Sequence, residues 1–346
     1  MKLTAAQASA NAKLPSAKWR TVRRRLRGGT VMPLVQPSFA LQSHDLVFTM
    51  GSCFARNIEK HLARWGCRVP MLEFSLPEHE YGFNNPADTL TIYNTPSFRQ
   101  EIEWAERIFA RDSAVVDADC DHFLYEVEDG LFADLGMNRT YPAPRARCVE
   151  RRQQVFDLYA TAFAADCIVM TPGVSEVFTN TRTGFVSNPT PINRGKFMNA
   201  EEWEFSVLDY ETSVSDLQTV IDLVRKHNPK AKFLISTSPV PLHTSFSGLD
   251  IAVANARSKA ILRAACETVA ESRDQVDYFP SYEAVTLSWW RVWQRDRRHV
   301  SDYFVGKVVA NLASHYMPEL GTTPTDTRSF EYSIGERIAK AIGLRS

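Results

Sequence analysis

Four short apolar runs, separated by amphipathic helical patterns, constrain the fold of this chain more than any other feature. Their length and branched side chains are typical of buried strands. Regular alternation of strand and helix favours an α/β layered fold with a mostly parallel sheet. The predicted strands are LVFTM (46–50), CIVMTP (167–172), AKFLIST (231–237) and VDYFP (276–280).

Helices are predicted wherever apolar residues recur at helical spacing between these runs. After the first run, Phe54, Ile58, Leu62 and Trp65 fall on one helix face. Further helices are predicted over 147–165, 214–228 with Ser215 as N-cap, 251–270 and 300–317, and a hairpin over 176–188.

Charge is balanced over the 346 residues, with 40 basic and 40 acidic side chains. This balance argues against a general nucleic-acid or polyanion binder, so no specific nucleic-acid partner is expected. The exception is KWRTVRRRLRGG (18–29), which could contact phosphates or acidic lipid heads but is more typical of a solvated arm. The predicted organisation is a basic N-terminal arm (1–40), one domain (41–320) and a C-terminal extension with a short helix (321–346).

The six cysteines are scattered without CxxC spacing, so neither a metal cluster nor a metal ligand set is expected. No secretory signal or bilayer-spanning apolar stretch is visible in the sequence. The expectation is a cytoplasmic protein with reduced thiols and no transmembrane segment.

Ligands of parallel α/β sheets bind at the carboxyl ends of the strands, where this chain places small and polar residues. A serine there needs a base to take its proton and a third group to orient that base. His299 has Asp296 three residues before it, at a spacing that lets the carboxylate bond the imidazole Nδ1. The alternative is that Asp296 or Ser301 only caps the next helix. The residues after the first three strands are Gly51 and Ser52, then Gly173, Ser175 and Glu176, then 236–239.

The stretch MGSCFARNI carries the complete pentapeptide of residues 51–55 and resembles the signature of the GSCFA family. Members of that family resemble the SGNH (GDSL-like) hydrolase superfamily, whose fold is a flavodoxin-like three-layer α/β/α sandwich. The resemblance implies that Ser52 is the nucleophile and that Asp296 and His299 form the DxxH block, with Cys53 packed beneath the turn. Further matches follow in order as IYNTPSF (92–98), PGVSEVF (172–178), STSPVPL (236–242), NARSKAIL (255–262), YFPSYE (278–283) and RDRRHVS (295–301).

The expected oxyanion hole departs from the superfamily pattern. That pattern uses the backbone N–H of the serine, a Gly and the Asn of a GxND block. Here the block is Gly173-Val174-Ser175-Glu176, so Ser175 stands where Asn is expected. Asn94 could supply the missing amide donor, and Glu176 could bond either the turn carrying Ser52 or the start of another rim loop.

The resemblance therefore implies an SGNH-type serine acyl-ester hydrolase acting on a carbohydrate or small-molecule ester, with no cofactor. One alternative is an O-acyltransferase that modifies a glycan with the same triad and takes acyl-CoA or another acyl donor. A third possibility is a non-catalytic glycan- or partner-binding module that kept the fold. Trp289, Trp290 and Trp293 could stack on sugars or form an apolar lid or core patch.

Overall fold

The four predicted apolar runs form one parallel sheet at the centre of a mixed α/β fold, which confirms the predicted sheet. The computed structural model describes residues 2–26, 28–82, 85–193 and 196–320. The strands are β1 (Val47–Gly51), β2 (Leu124–Glu128), β3 (Leu131–Asp134), β4 (Ala143–Pro144), β5 (Cys167–Thr171), β6 (Glu176–Asn180), β7 (Val186–Ser187), β8 (Ile192–Asn193), β9 (Lys196–Phe197), β10 (Trp203–Val207), β11 (Lys232–Ile235) and β12 (Val276–Tyr278).

The central sheet has the strand order β1-β5-β11-β12, and all its pairs are parallel. Every residue of β1 and β5 is buried, as expected of parallel strands that are covered on both faces. In register, Gly51 lies beside Thr171, and Met170 lies beside Ile235. The carboxyl ends of these strands therefore meet at one edge of the sheet.

Helices flank the sheet, with α3 packed against α9, and α6 packed against both α4 and α7. The helices are α1 (Ala5–Lys13), α2 (Trp19–Leu26), α3 (Cys53–Arg64), α4 (Thr95–Arg111), α5 (Arg145–Tyr159), α6 (Tyr210–His227), α7 (Ile251–Ser272), α8 (Ser281–Leu287) and α9 (Asp302–Tyr316).

Two helix boundaries differ from the prediction by more than two residues. The N-cap of α6 is Asp209, whose carboxylate accepts from Thr212 N at 2.7 Å, and not Ser215. A carboxylate placed before the helix satisfies a free N–H there, whereas Ser215 lies one turn inside and continues the helix. Helix α5 ends at Tyr159, and a 3-10 turn (Ala160–Ala164) covers most of the remaining predicted length.

The predicted hairpin is present as β6 and β7, with Gly184 at a φ of 70° in its turn. Strand β10 extends it antiparallel to β6. Strands β2, β3 and β4 form a separate antiparallel sheet. These additions lie outside the parallel sheet, and β6 begins directly after the segment that leaves β5.

The N-terminal residues divide into an exposed part and a packed part. Helices α1 and α2 bury no residue. Beyond them Val31 and Leu41 are each only 1% exposed, and Leu41 N donates to Tyr316 O at 2.7 Å. The division of the chain into arm and domain stays a prediction, and the predicted C-terminal extension (321–346) lies outside the described residues.

Candidate active site

Gly51 is the last residue of β1, where both the backbone conformation and the lack of room for a Cβ favour glycine. Its φ is 155°, and a Cβ at this position would lie 2.0 Å from Thr171 Oγ1 and 2.9 Å from Thr171 O. The next residue, Ser52, donates its backbone N–H to Thr171 O at 3.2 Å. The close approach of the two strand ends thus fixes Ser52 at the edge of the sheet.

Ser52 is the N-cap of α3 and carries a buried hydroxyl. Its Oγ accepts from Phe54 N at 3.2 Å and donates to Ser238 Oγ at 2.7 Å. Ser238 is also buried, in the segment that follows β11, where its N–H donates to Pro172 O at 2.9 Å. The hydroxyl is therefore held between a helix N-terminus and a second serine, a partner that the sequence flagged only as a motif position.

Cys53 follows Ser52 with a partly buried thiol. Burial raises the pKa of this thiol, and the positive charges of Arg298 and Lys259 oppose that rise. A thiol with a raised pKa is mostly protonated at neutral pH and is a weak nucleophile. This electrostatic setting favours Ser52 over Cys53 as the reacting group.

Asp296 and His299 contact each other across a tight turn. Asp296 Oδ2 accepts from His299 Nδ1 at 2.5 Å, and Asp296 Oδ1 accepts from the backbone N–H groups of Arg298 and His299 at 3.0 Å. Those hydrogen bonds, the Arg298 one first, hold the pKa of the Asp296 carboxyl well below its usual range. Ser301, and not Asp296, caps α9, because its Oγ accepts from Phe304 N.

Arg298 determines which nitrogen of His299 carries the proton. Its Nη1 lies 3.0 Å from His299 Nε2, and its Nε donates to Pro241 O at 3.1 Å. A guanidinium only donates hydrogen bonds, so Nε2 accepts and the proton is on Nδ1, facing Asp296. This is the tautomer of a base, and Pro241 places the turn beside the segment that follows β11.

The structure does not join Ser52 to His299. Within the described residues the Ser52 hydroxyl bonds Ser238, and His299 bonds Asp296 and Arg298. A proton transfer from Ser52 to His299 would therefore need both side chains to exchange a partner.

Gly173 lies next to Ser52, but its N–H has a partner. A Cβ on Gly173 would lie 3.1 Å from Ser238 Cβ and 3.5 Å from Ser52 Cβ. The N–H groups of Gly173 and Val174 both donate to Tyr93 O, at 2.9 and 3.0 Å. The segment around Tyr93 is thereby brought to the edge of the sheet.

Asn94 and Ser175 each keep one side-chain group without a hydrogen bond to the described residues, an amide nitrogen in Asn94 and a hydroxyl in Ser175. Asn94 is the N-cap of α4, where its Oδ1 accepts from Ser97 N at 2.9 Å, and its amide nitrogen has no hydrogen bond to the described residues. Ser175 donates its backbone N–H to Ser258 Oγ at 2.8 Å. The hydroxyl of Ser175 is buried without a hydrogen-bond partner in the described part of the chain.

Glu176 contacts a different part of the rim. Its carboxylate accepts from Ser245 Oγ at 2.6 Å and from Phe246 N at 2.9 Å, in a loop beyond β11. Of the two partners expected for Glu176, this is the rim loop and not the turn that carries Ser52.

Lys259 is a buried basic group that the sequence marked only as a motif position without an evident role. It is 1% exposed on α7, and its Nζ donates to Gly173 O at 2.6 Å. Burial lowers the pKa of this ammonium to about 7. The signal in the sequence was a lysine on the apolar face of a predicted helix, within the motif NARSKAIL.

The tryptophans before the DxxH turn divide between surface and core. Trp289 and Trp290 are 62% and 51% exposed, whereas Trp293 packs against the core. Trp289 Nε1 donates to Leu26 O at 3.0 Å, so these side chains also touch the end of α2.

In the described residues, three or more His, Cys, Asp or Glu side chains are nowhere grouped so that they could hold a metal ion. Nor does that part of the chain contain a helix long and apolar enough to cross a membrane.

Comparison with known proteins identifies the family. Among solved structures, a Streptococcus pneumonia chain provisionally described as a platelet activating factor is 10% identical, with 91% of this chain and 100% of that chain covered and a TM-score of 0.34, too low to support any conclusion. No curated protein matches. The model of the GSCFA family matches residues 46–312, which include Ser52, Gly173 and His299. Because this match covers most of the sequence, the chain belongs to the GSCFA family.

Proposed function

We propose that this protein is a serine acyl-ester hydrolase of the SGNH type, with the flavodoxin-like three-layer sandwich of that superfamily. Ser52 is the nucleophile, His299 the general base and Asp296 the group that orients it. The observation that carries the proposal is the hydrogen bonding of His299. Asp296 holds its Nδ1–H, which leaves Nε2 unprotonated, and the turn is bonded through Arg298 to Pro241 on the rim that presents Ser52. Asp–His pairs of this kind activate serine hydroxyls on several unrelated folds.

The reaction begins when the Ser52 hydroxyl turns from Ser238 to His299 Nε2. Nε2 takes the proton as Oγ attacks the ester carbonyl, and the resulting imidazolium is stabilised by the Asp296 carboxylate. The imidazolium then protonates the leaving alcohol, and the acyl group stays on Ser52. Water, deprotonated by His299 in the same way, releases the acid and restores the serine.

Asn94 is the strongest candidate for an oxyanion donor. Its amide nitrogen is free of hydrogen bonds to the described residues, while its oxygen is fixed by Ser97 N. The Ser52 N–H is a second candidate, because its bond to Thr171 O is long at 3.2 Å. Gly173 could contribute only after its peptide leaves Tyr93 O. One such donor accounts for about 3–4 kcal/mol of transition-state stabilisation.

A fluorophosphonate probe followed by mass spectrometry tests this function. We expect labelling at Ser52 that falls at least about 100-fold in His299→Ala. His243→Ala is the matched control, because His243 is an exposed histidine without a carboxylate partner in the described residues. Folded wild-type protein that takes no label, or label that is insensitive to His299→Ala, would contradict the proposal.

The substrate class we propose is a carbohydrate or small-molecule ester. An O-acyltransferase would use the same residues, with acyl-CoA or another acyl donor, if a sugar hydroxyl replaced water. Product analysis with an activated acyl donor and a sugar acceptor separates the two. All six cysteines are free, which supports a reducing, cytoplasmic location.

A non-catalytic binding module is the second candidate. It is favoured by the bond of Ser52 to Ser238 in place of His299, and by the engaged N–H of Gly173. Folded protein that resists the probe but binds a glycan in calorimetry would support this alternative.

A further inference from the structure

We propose that Arg298 selects esters that carry an anionic group near the reacting carbonyl, and that binding this group releases His299 to act as the base. The proposal rests on the function proposed above and names a substrate property for the same site. Carboxylate and phosphate share the chemistry that a guanidinium recognises, namely two oxygens that accept a forked pair of hydrogen bonds.

Among the described residues, Arg298 bonds two neutral acceptors and pairs with no carboxylate. Its described contacts are Pro241 O and His299 Nε2. No carboxylate in the described part of the chain forms an ion pair with it. Asp296 lies in the same turn, and its two carboxylate oxygens already accept hydrogen bonds from the His299 ring and from two backbone N–H groups. The guanidinium thus forms no ion pair with a described carboxylate, and a bound anion would offer it charge-assisted hydrogen bonds.

A second basic side chain, without an acidic partner in the described residues, acts on the same turn. Lys259 is buried, and the oxygen it bonds is the neutral carbonyl of Gly173. Burial raises the pKa of the Cys53 thiol, and of the charges that oppose this rise Arg298 is the largest and Lys259 the next. Both cations are therefore within electrostatic reach of the turn that carries Ser52. The acid whose charge also acts on the Cys53 thiol is Asp88, and its own carboxylate interacts with the charges of Arg56 and Lys60.

The position of Arg298 also blocks the reaction. While its guanidinium donates to His299 Nε2, the lone pair that must take the Ser52 proton is occupied. A carboxylate or phosphate offers charge-assisted bonds that are roughly twice as strong as those to neutral acceptors. A bound anion therefore draws the guanidinium away from Nε2, whereas a neutral ester leaves it in place. The anion then increases both binding and turnover.

Matched pairs of esters test this selection and locate the anion. On the acyl side, 4-nitrophenyl hemisuccinate is compared with 4-nitrophenyl butyrate. On the alcohol side, 4-acetoxybenzoate is compared with phenyl acetate. For wild-type protein we expect kcat/KM to favour the anionic member of at least one pair by tenfold or more.

Arg298→Met removes the charge, and Arg298→Gln removes it while keeping hydrogen-bond donors. In both variants we expect the ratio of anionic to neutral kcat/KM to approach one. Arg297→Met is the control, because Arg297 is an exposed neighbour in the same turn without an ion pair to the described acids. It keeps the wild-type ratio.

The outcomes separate this inference from the proposed function. Wild-type protein that cleaves both members of each pair equally, or a preference that survives in both Arg298 variants, overturns the role of Arg298 while labelling of Ser52 still supports the hydrolase. Absence of Ser52 labelling in folded wild-type protein overturns both.

Discussion

Gly51 is the residue at which the backbone of β1 sets the position of Ser52, the proposed nucleophile. In Gly51→Ala the new methyl group would collide with Thr171, including its backbone oxygen. We expect the free energy of unfolding to fall by at least about 3 kcal/mol, because steric overlap adds to backbone strain. Urea unfolding followed by circular dichroism measures this loss.

Gly130→Ala is the matched control for this substitution. Gly130 has a φ of 70°, but a Cβ there would meet no atom within 4 Å. Only the left-handed conformation is penalised, by about 1–2 kcal/mol. Equal losses in the two variants would show that the contact with Thr171 is unimportant.

The lowered pKa of Lys259 predicts how the free energy of unfolding changes with pH. Its folded pKa of about 7 lies below the ordinary lysine value of 10.5. Between these values the unfolded chain binds the extra proton, so this residue's contribution to stability rises with pH, by up to about 1.4 kcal/mol per unit. Below pH 7 both states are protonated and the contribution is flat.

Urea unfolding of wild type and Lys259→Met at pH 7, 8 and 9 isolates this effect. Because other titrating groups are common to both proteins, we expect the free-energy difference between them to shift toward wild type as pH rises. A difference that stays constant over this range would mean that Lys259 keeps an ordinary pKa when folded.

At the scale of the element, Asn94 links the start of α4 to the proposed chemistry. Asn94→Ser keeps a side-chain oxygen for Ser97 N but removes the amide donor. We expect nearly unchanged stability and a loss of about 10²–10³-fold in kcat. Asn94→Ala also loses the cap, which costs about 1 kcal/mol.

Asp209→Ala provides the control, because Asp209 caps α6 through Thr212 N. It should lower stability by a similar amount and leave ester hydrolysis unchanged. Full activity in Asn94→Ser would contradict the assignment of Asn94 as an oxyanion donor, and unfolding measured on the same samples shows whether the cap is kept.

Arg152 ties three elements together in the interior. It is fully buried on α5, where it bonds Glu101 of α4 at 2.9 Å and Asp134 of β3 at 2.7 Å, and it lies over the ring of Phe123. Arg152→Met leaves two buried carboxylates without their cation. We expect a loss of about 3–5 kcal/mol in the free energy of unfolding.

Arg145→Met on the same helix is the comparison. Arg145 pairs with the exposed Asp117 and Asp121, whose carboxylates stay hydrated when the arginine is removed. In chemical denaturation, Arg145→Met should lower the free energy of unfolding far less than Arg152→Met. A comparable loss in both variants would refute the role of burial.

At the scale of the whole molecule, the sequence predicted the layers better than the contacts between them. The apolar runs identified the central strands, because a parallel strand buried on both faces is apolar along its length. Residues that follow those strands were correctly expected to meet at one edge, since parallel strands share a direction. Helix α4 was missed, although its buried Phe98, Ile102 and Ile108 recur at helical spacing. The N-cap of α6 was misplaced because local pattern does not separate Asp209 from Ser215.

Contacts between distant residues were beyond the reach of sequence patterns. The spacing of Asp296 and His299 indicated a local hydrogen bond that a tight turn permits. The bonds of Ser52 to Ser238 and of Lys259 to Gly173 join residues on different elements, so they depend on the packing of those elements. The proposed catalytic pair is therefore a local property, whereas the surroundings of Ser52 are a property of the fold.

The N-terminal segment gives a prediction about the whole molecule. Deleting residues 2–26 removes α1 and α2, in which no residue is classed as buried, and its cost is limited to contacts such as the bonds from Arg25 Nη1 to Met32 O and from Trp289 Nε1 to Leu26 O. Deleting residues 2–41 also removes Val31, Phe39 and Leu41 from the core. Each such side chain contributes about 1.5–3 kcal/mol by burial, so the longer deletion should lower the free energy of unfolding by several kcal/mol.

Thermal and urea unfolding of the two truncated chains decides whether the boundary falls after α2 or after Leu41. Single substitutions sharpen the comparison, because Leu41→Ala removes a side chain that is 1% exposed and Leu14→Ala removes one that is 46% exposed. The first should cost about 2–5 kcal/mol and the second almost nothing. If the short deletion destabilised the protein as much as the long one, α1 and α2 would have to be counted as part of the folded domain, and the basic segment would then have a structural role in addition to any contact with a ligand.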